Sequence, residues 1–474
     1  MSDDHGARLR PMKQGDFRPF EQKMRTANVM EAAIGAFRHN YDALCREESG
    51  LIEEGSIEPA DDLAKFEAGE ADVDPALLAQ AVVIKLNGGL GTSMGLQKVK
   101  SVLEVRPGVN FLDLIVRQVK SLREKSGSKV RLLLMNSFST SDDTLEYLER
   151  HAEGGFADAS EVELMQNQVP KIDAATLAPV EWSENPSLEW CPPGHGDLYP
   201  ALVGSGWLDR LLADGVKYAF VSNSDNLGAV LEPSLLKHFA DSGAPFMMEV
   251  TRRTPADRKG GHLAVRKDNG RLLLREVAQC PDDDLEAFQD IDKHRYFNTN
   301  SIWLRLDVLK KQLAENGGVL PLPMIRNRKT VDPRDPASTP VIQLEVAMGA
   351  AIECFEGAEA IEVPRSRFAP VKSTADLFAL RSDAYEISNE GRVELTSSRR
   401  GVPPVVKLSD SYKLVDAISG LGSPSLAACD TLTIDGPLTF SDGVVIKGKV
   451  TFLAEPGDVK SVSGGTYEDG EFPI

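Results

Sequence analysis

Apolar residues recur along this chain in three successive rhythms, and each predicts a different kind of structure. Phe20, Met24, Ala27, Met30, Ile34, Phe37, Tyr41 and Leu44 return every three or four positions, which predicts a helical stripe buried on one side. From Ala81 to about Ala375, short apolar runs alternate with helical periodicity. The runs Ala81 to Leu86, Val130 to Met135, Tyr218 to Ser222, Phe246 to Val250, Leu272 to Glu276 and Ser301 to Leu304 read as strands; Phe111 to Leu122, Thr144 to His151 and Leu235 to Ala240 read as helices. Such alternation predicts a mostly parallel sheet with helices on both faces. Ligands of these sheets bind beyond the carboxyl ends of the strands, so the residues just after each strand carry most functional weight. Beyond about residue 400 the period becomes six: Leu432, Leu438, Val444 and Val450 form one series and Ile434, Phe440, Ile446 and Phe452 another, with Gly436, Gly443 and Gly448 between. That period predicts a small left-handed parallel β-helix, with an ordinary meander as the alternative.

The division that follows is 1–80 for a helical N-terminal region separate from the core sheet, 81–395 for an α/β domain that carries the chemistry, and 396–474 for the C-terminal coils. Within the first, Glu53 to Asp74 is acidic and poor in large apolar residues, which predicts a solvated connection into a short helix at Pro75 to Ala79.

Composition narrows the classes of partner. The 474 residues carry a formal net charge of −19, a field that repels nucleic-acid backbones and anionic membrane surfaces. Any phosphate site must therefore be locally basic. Hydrophobic residues make up 42%, enough to fill a large core, and the length prior suggests about three domains. Cys45, Cys191, Cys280, Cys354 and Cys429 are odd in number, scattered, and form no C-x-x-C pair. Neither a disulfide framework nor a zinc site is indicated, and a reducing cytosol is the expected compartment. The start Met1 to His5 lacks a basic segment followed by an apolar one, and no run approaches the roughly 18 apolar residues of a membrane span.

One stretch departs from plain strand-and-helix punctuation. The apolar run Ala81 to Ile84 empties into a turn containing Gly88, Gly89, Gly91 and Gly95, followed by Lys98 and Lys100. Glycines let main-chain N–H groups close on a phosphate, and a lysine supplies cationic charge there. The spacing is not that of a P-loop, and Gly89-Leu-Gly91-Thr-Ser-Met-Gly95 is one residue longer than the dinucleotide fingerprint. By its pattern alone the turn also has a purely structural reading. Asn223 and Asp225 follow the strand Tyr218 to Ser222 and so fall at the binding edge. Asp225 suits Mg²⁺, a hard cation that shares its shell between carboxylate and substrate phosphates; an Asx-turn is the competing reading.

The wording of the glycine turn is more specific than its glycine count. Leu86-Asn-Gly-Gly-Leu-Gly-Thr-Ser-Met-Gly95, with Lys100-Ser101 after it, resembles the nucleotide-binding loop of the eukaryotic-type UTP–glucose-1-phosphate uridylyltransferases, or UDP-glucose pyrophosphorylases. The resemblance covers roughly residues 20 to 460, with its motifs in order. It implies a Rossmann-like α/β nucleotide-diphospho-sugar transferase (GT-A-like) fold, with a mixed, mostly parallel sheet, a helical N-terminal region and a C-terminal left-handed parallel β-helix. In that family Leu86, Asn87, Gly88 and Gly89 would hold the nucleoside. Gln166-Asn-Gln168-Val-Pro-Lys171 resembles the segment whose glutamine reads the uracil edge, with Gln168 as the matching position. Cys191-Pro-Pro-Gly-His-Gly-Asp-Leu-Tyr-Pro200 looks like the loop that presents Gly194 main chain to the uracil and His195 to phosphate, as a donor rather than a base.

The same resemblance places Asp225 on Mg²⁺ and gathers Asn223, Gly261, Glu276, Asn298 and Asn300, with His195, around the sugar phosphate. These positions lie in Asn223-Ser-Asp225-Asn226, Lys259-Gly-Gly261-His, Arg275-Glu276 and Phe297-Asn298-Thr-Asn300-Ser. Val363-Pro-Arg365-Ser-Arg367-Phe-Ala-Pro-Val-Lys372 is a basic island in an acidic chain and resembles the second phosphate element, with Lys372 opposite Lys100. Val341-Ile-Gln-Leu-Glu345 and Gly349-Ala-Ala-Ile352 look like the helix behind it.

The implied reaction joins UTP and glucose 1-phosphate to give UDP-glucose and pyrophosphate, reversibly, with Mg²⁺ as cofactor. The sugar's own phosphate oxygen is the nucleophile, in keeping with a chain in which no nucleophilic triad is found. Lys100 would hold the UTP phosphates and Lys372 the charge developing at the α-phosphate. No nucleic-acid or membrane partner is expected; a homo-oligomer through the C-terminal domain is an option. One departure stands out: the family pattern has a Cys, a Gly and a Pro between Gly95 and Lys100, where this chain has Leu96-Gln-Lys98-Val99. Lys98 thus competes with Lys100, and a less rigid loop is expected. Two other readings stay open. A broad UDP-sugar or UDP-N-acetylhexosamine pyrophosphorylase shares the architecture, although N-acetyl-sugar relatives favour an Arg where this chain has Ser93-Met94. A non-catalytic UTP- or UDP-sugar-binding regulator is opposed by the intact set Lys100, Asp225 and Lys372.

Overall fold

The strand Ala81–Asn87 is buried along almost its whole length, because helices cover both faces of the sheet and an apolar run there has no solvent side to alternate toward. The computed structural model describes residues 15–67, 74–151, 156, 158–455 and 457–474. Ala81–Asn87 pairs in parallel with Arg131–Asn136 on one side and Tyr218–Asn223 on the other, and Arg131–Asn136 continues in parallel to Glu163–Met165. On the far flank Tyr296–Arg305 runs antiparallel to both Tyr218–Asn223 and Phe246–Arg252. Phe246–Arg252 then pairs in parallel with Glu359–Glu362. The mixed, mainly parallel α/β sheet is therefore present, with one long antiparallel strand set into it. The run Ser301 to Leu304 is only the second half of that strand; its first half carries Asn298 and Asn300.

The helix Phe111–Ser126 shows why the local sequence folds as it does. Asn110 and Asp113 form a reciprocal capping box at its start, and Gly127 closes it at φ 66°, a left-handed conformation that glycine adopts without a Cβ clash. Phe111, Leu114, Ile115, Val119 and Leu122 go into the core on one face, each such side chain contributing about 1.5–3 kcal/mol of burial.

Several expectations are corrected. The connection read over 53–74 is built into the sheet: Ile57–Pro59 pairs with His262–Arg266, and Ala64–Lys65 pairs with Glu359–Glu362. The N-terminal region is thus not separate from the core sheet. Strands this short have no alternation to read. Pro75–Leu78 does form the short helix, capped by Asp74. The portions of these readings on residues 1–14 and 68–73 lie outside the described residues. The stripe from Phe20 to Leu44 is two helices, Arg18–Thr26 and Glu31–Cys45, broken where Asn28 takes φ 56°. Val341 to Glu345 belongs to the strand Pro340–Val346, paired with Met324–Thr330; its β-branched start suits a pleated surface. Only Met348–Cys354 behind it is helical, as a 3-10 helix.

At the C-terminal end Val405–Leu408, Ser425–Asp435, Val444–Leu453 and Gly465–Pro473 form a four-stranded, all-parallel sheet. Leu432 lies opposite Val450 and Ile434 opposite Phe452, so equivalent members of the six-residue series stack. All eight residues of the two series are buried. Among the described residues no helix is long and apolar enough to cross a membrane.

Candidate active site

The loops singled out by sequence converge beyond the carboxyl ends of Ala81–Asn87 and Tyr218–Asn223. Parallel register sets Asn223 beside Leu86, and the Ser224 N–H donates to Leu86 O at 3.0 Å. The Asn87 side chain is turned into the scaffold, donating to Asn136 Oδ1 at 2.8 Å and Thr144 Oγ1 at 2.9 Å. Its amide holds the root of the glycine loop.

Gly88 and Gly194 come to the same place through one glutamine. A Cβ on Gly88 would lie 2.8 Å from Gln166 Oε1, and Gln166 Nε2 donates to Gly194 O at 3.0 Å. Gly194 sits at φ 82°, and a side chain there would meet Val346 O at 2.5 Å, so the position admits only glycine. Gln168, the position matched by resemblance, makes no side-chain hydrogen bond among the described residues; Gln166 is the one that spans the two loops. Asn167 between them is clamped by buried Asp197, which accepts from Asn167 N at 2.6 Å and from its Nδ2 at 3.0 Å. Burial pushes the Asp197 carboxyl up to about 7, against these hydrogen bonds.

His195 follows Gly194 and has a fixed tautomer. Its Nδ1 accepts the Met348 N–H at 2.9 Å, which leaves the proton on Nε2. Burial lowers the ring to about 4, so at neutral pH it is a neutral donor. The residue after Met348 touches the other half of the site, since a Cβ on Gly349 would lie 3.4 Å from Asn298 Nδ2.

The charged groups meet across the mouth. Lys100 Nζ stands 2.8 Å from Asp225 Oδ2, with both side chains largely covered. Lys98, the competing lysine, is exposed and in no ion pair among the described residues. Asp225 O accepts from Val371 N at 3.1 Å, while Asn226 donates to Arg367 O at 3.0 Å and accepts from Ala369 N at 3.0 Å. These bonds stitch the Asp225 loop to the segment carrying Lys372. Arg365 and Arg367 of the basic island are already neutralised, by Asp257 and Glu249 respectively. Lys372 is exposed, makes no salt bridge among the described residues, and lies over the Phe368 ring at 5.7 Å.

The sugar-side residues form a second cluster within reach of Lys372. A Cβ on Gly261 would lie 2.5 Å from Glu276 Oε2, Gly261 O accepts from Asn298 N at 3.1 Å, and Asn298 Nδ2 donates to Asn300 Oδ1 at 2.9 Å. Asn300 takes φ 55°, a left-handed conformation that asparagine tolerates. Burial raises the Glu276 carboxyl, opposed by the Asn298 amide and the Lys372 charge.

Beneath the mouth runs a charged layer that the sequence reading passed over. Lys85 is buried in the strand before the glycine loop and donates to Ser222 Oγ at 2.8 Å and Ala229 O at 2.6 Å. Burial, with Arg367 nearby, lowers its ammonium to about 7. Arg367 grips fully buried Glu249 through two bonds of 2.8 Å, and Trp303 Nε1 donates to the same carboxylate at 2.9 Å. A lysine inside the apolar run Ala81 to Leu86 was the visible signal for this layer.

Among the described residues no group of three or more His, Cys, Asp or Glu is arranged to hold a metal ion. Asp225 nevertheless fits one: its Oδ1 is a buried acceptor with no hydrogen-bond partner. Mg²⁺ characteristically takes one or two carboxylates and completes its shell with water and substrate phosphate.

Three comparisons bear on this geometry. Residues 34–447 match the family model described as UTP–glucose-1-phosphate uridylyltransferase. The enzyme of that name from Solanum tuberosum is 42% identical over 405 residues, covering 85% of this chain and 82% of its own; that from Saccharomyces cerevisiae is 39% identical over 410 residues, covering 86% and 80%. Among solved structures, a variant of UDP-glucose pyrophosphorylase from Leishmania major in complex with UDP-glucose superposes with a TM-score of 0.91 at 46% identity, over 96% of this chain and 99% of that one.

Proposed function

This chain belongs to the UTP–glucose-1-phosphate uridylyltransferase family and is a nucleotidyltransferase that forms UDP-glucose from UTP and glucose 1-phosphate; we propose that it does so with Lys100, Asp225 and Lys372 as its charge clamp. What supports this assignment of roles is the convergence of those three residues on one sheet edge, with Gly88 and Gly194 joined through Gln166 on one side and the Glu276 cluster on the other.

In this reading Gly88, Gly194 and Leu86 main chain hold the uracil, and the Gln166 amide, rather than that of Gln168, reads its edge. His195 donates from Nε2 to a phosphate oxygen. Asn223, Gly261, Glu276, Asn298 and Asn300 meet the glucose hydroxyls, where each donor and acceptor must find a partner. Lys100 leaves Asp225 to bind the UTP phosphates. Asp225 would then hold Mg²⁺ through its oxygens, and such an ion supplies positive charge shared among carboxylate and phosphate oxygens. Lys372 stabilises charge at the α-phosphate as the sugar phosphate oxygen attacks in line and pyrophosphate departs. No protein nucleophile is required.

The C-terminal coils are read as a left-handed parallel β-helix, supported by their parallel register and six-residue stacking, with a homo-oligomer through this domain as an option. A boundary near residue 395 between the α/β region and the C-terminal coils, and a cytosolic home, belong to the same reading. The test of function is pyrophosphate release from UTP with Mg²⁺ across glucose, galactose and N-acetylglucosamine 1-phosphates. Release confined to glucose 1-phosphate supports the reading; release across the panel would make this a general UDP-sugar pyrophosphorylase, and none with UTP bound would make it a regulator.

A further inference from the structure

Lys100 is delivered by two successive peptide units, each pinned by its own N–H. Its own N–H donates to Gly89 O at 3.2 Å, and the preceding N–H, of buried Val99, donates to Asp143 Oδ2 at 3.0 Å. Asp143 sits in the first turn of the helix Ser141–His151, where a carboxylate is also favoured by the helix dipole. That helix follows the core strand Arg131–Asn136, so the anchor is a rigid element rather than another loop.

We propose that Asp143 is a positioning residue for Lys100, acting through the Val99 N–H; this rests on the reading of Lys100 as the lysine that binds the UTP phosphates. A buried N–H without a partner is costly, and a carboxylate is among its strongest acceptors. Val99 therefore demands what Asp143 supplies. Without that bond the turn between exposed Lys98 and Lys100 is free to rotate its peptide, and the ammonium loses its aim. The loop expected from its Lys98-Val99 wording to be slack is held from outside itself. Val99 stands at φ −55° and ψ 135°, close to the conformation proline adopts. A proline there has no N–H to satisfy, so it removes the need for Asp143.

The test uses the full-length protein as wild type, Asp143→Ala, Asp143→Asn and the double variant Asp143→Ala with Val99→Pro. Asp143→Ala is expected to speed hydrogen exchange in segment 96–103 and to raise KM for UTP about tenfold, the scale of a lost hydrogen bond to a charged acceptor. The asparagine variant, whose amide oxygen still accepts, falls between, and the double variant returns KM toward wild type. A merely structural role would lower the active fraction and leave KM unmoved. Unchanged exchange in Asp143→Ala, faster exchange with unchanged KM, or a well-folded double variant as impaired as Asp143→Ala each overturn the proposal. If the double variant does not fold, Asp143→Asn decides: a KM equal to that of Asp143→Ala overturns it. Should wild type itself release no pyrophosphate, the functional reading fails, while exchange and UTP affinity by calorimetry still decide this one.

Discussion

Lys100 and Asp225, 125 residues apart in the chain, meet as an ion pair of 2.8 Å at the mouth of the site. Each partner therefore occupies the place that a ligand of opposite sign would take: phosphate for the lysine, a cation for the carboxylate. In the proposed reading, UTP arriving with a metal ion would exchange that one protein–protein pair for two protein–ligand pairs.

Asp225→Asn separates these roles. It keeps the volume and removes the charge that holds Lys100. Mg²⁺-dependent turnover is expected to fall by about 10²-fold or more, the scale of a lost preorganised charge, while UTP affinity measured by calorimetry in EDTA holds or improves because Lys100 is released. Equal losses in turnover and metal-free affinity would contradict the division of labour.

Gln166→Ala is expected to raise KM for UTP about tenfold or more, since a buried edge donor and acceptor are left unpaired; Gln168→Ala should leave it near wild type. Steady-state kinetics on the two variants, side by side, decide which glutamine reads the base. The opposite ranking would return the role to Gln168.

Gly261→Ala places a methyl group 2.5 Å from the Glu276 carboxylate and must push that carboxylate away from the proposed sugar site. KM for glucose 1-phosphate should rise by about tenfold or more while KM for UTP moves little, because several hydroxyl contacts depend on the displaced cluster. A uniform change in both constants would place Glu276 elsewhere in the reaction.

His195 should remain neutral through the whole working range. Its ring is lowered by burial to about 4, below the usual value near 6.5, so the unfolded chain binds the extra proton first. The contribution of His195 to stability is therefore full above about pH 6.5 and is lost as pH falls through about 4. NMR of the labelled ring should show the Nε2–H tautomer at pH 7 and a titration midpoint near 4. A midpoint near 6.5 would mean that the Met348 bond and burial do not govern it.

Much of this site was legible in the chain because its glycines and its charged residues sit directly after strands. Asp225 and Asn223 fall where the strand Tyr218–Asn223 ends, and the glycine turn where Ala81–Asn87 ends. What the sequence could not disclose depends on pairing between distant segments. Gln166 and Gln168 flank one asparagine in the same short stretch, and only the approach of Gly194 selects between them. Arg365 and Arg367 read as free positive charge until Asp257 and Glu249, from other strands and turns, are seen to absorb it. Ile57–Pro59 and Ala64–Lys65 are strands because sheet edges await them, and nothing in their own few residues requires it. The antiparallel course of Tyr296–Arg305 is likewise a property of the sheet, while its composition would serve either direction.

Lys372 is proposed to stabilise the transition state rather than the bound nucleotide. The most direct measurement is kcat beside UTP affinity for Lys372→Ala. Its ammonium is exposed and salt-bridged to nothing among the described residues, so removing it leaves no buried partner stranded and the fold should stand. For this variant kcat is expected to fall by about 10²–10³-fold with UTP affinity changed only a few-fold. Equal losses in kcat and affinity would show that Lys372 merely holds UTP, and would contradict the charge clamp as drawn.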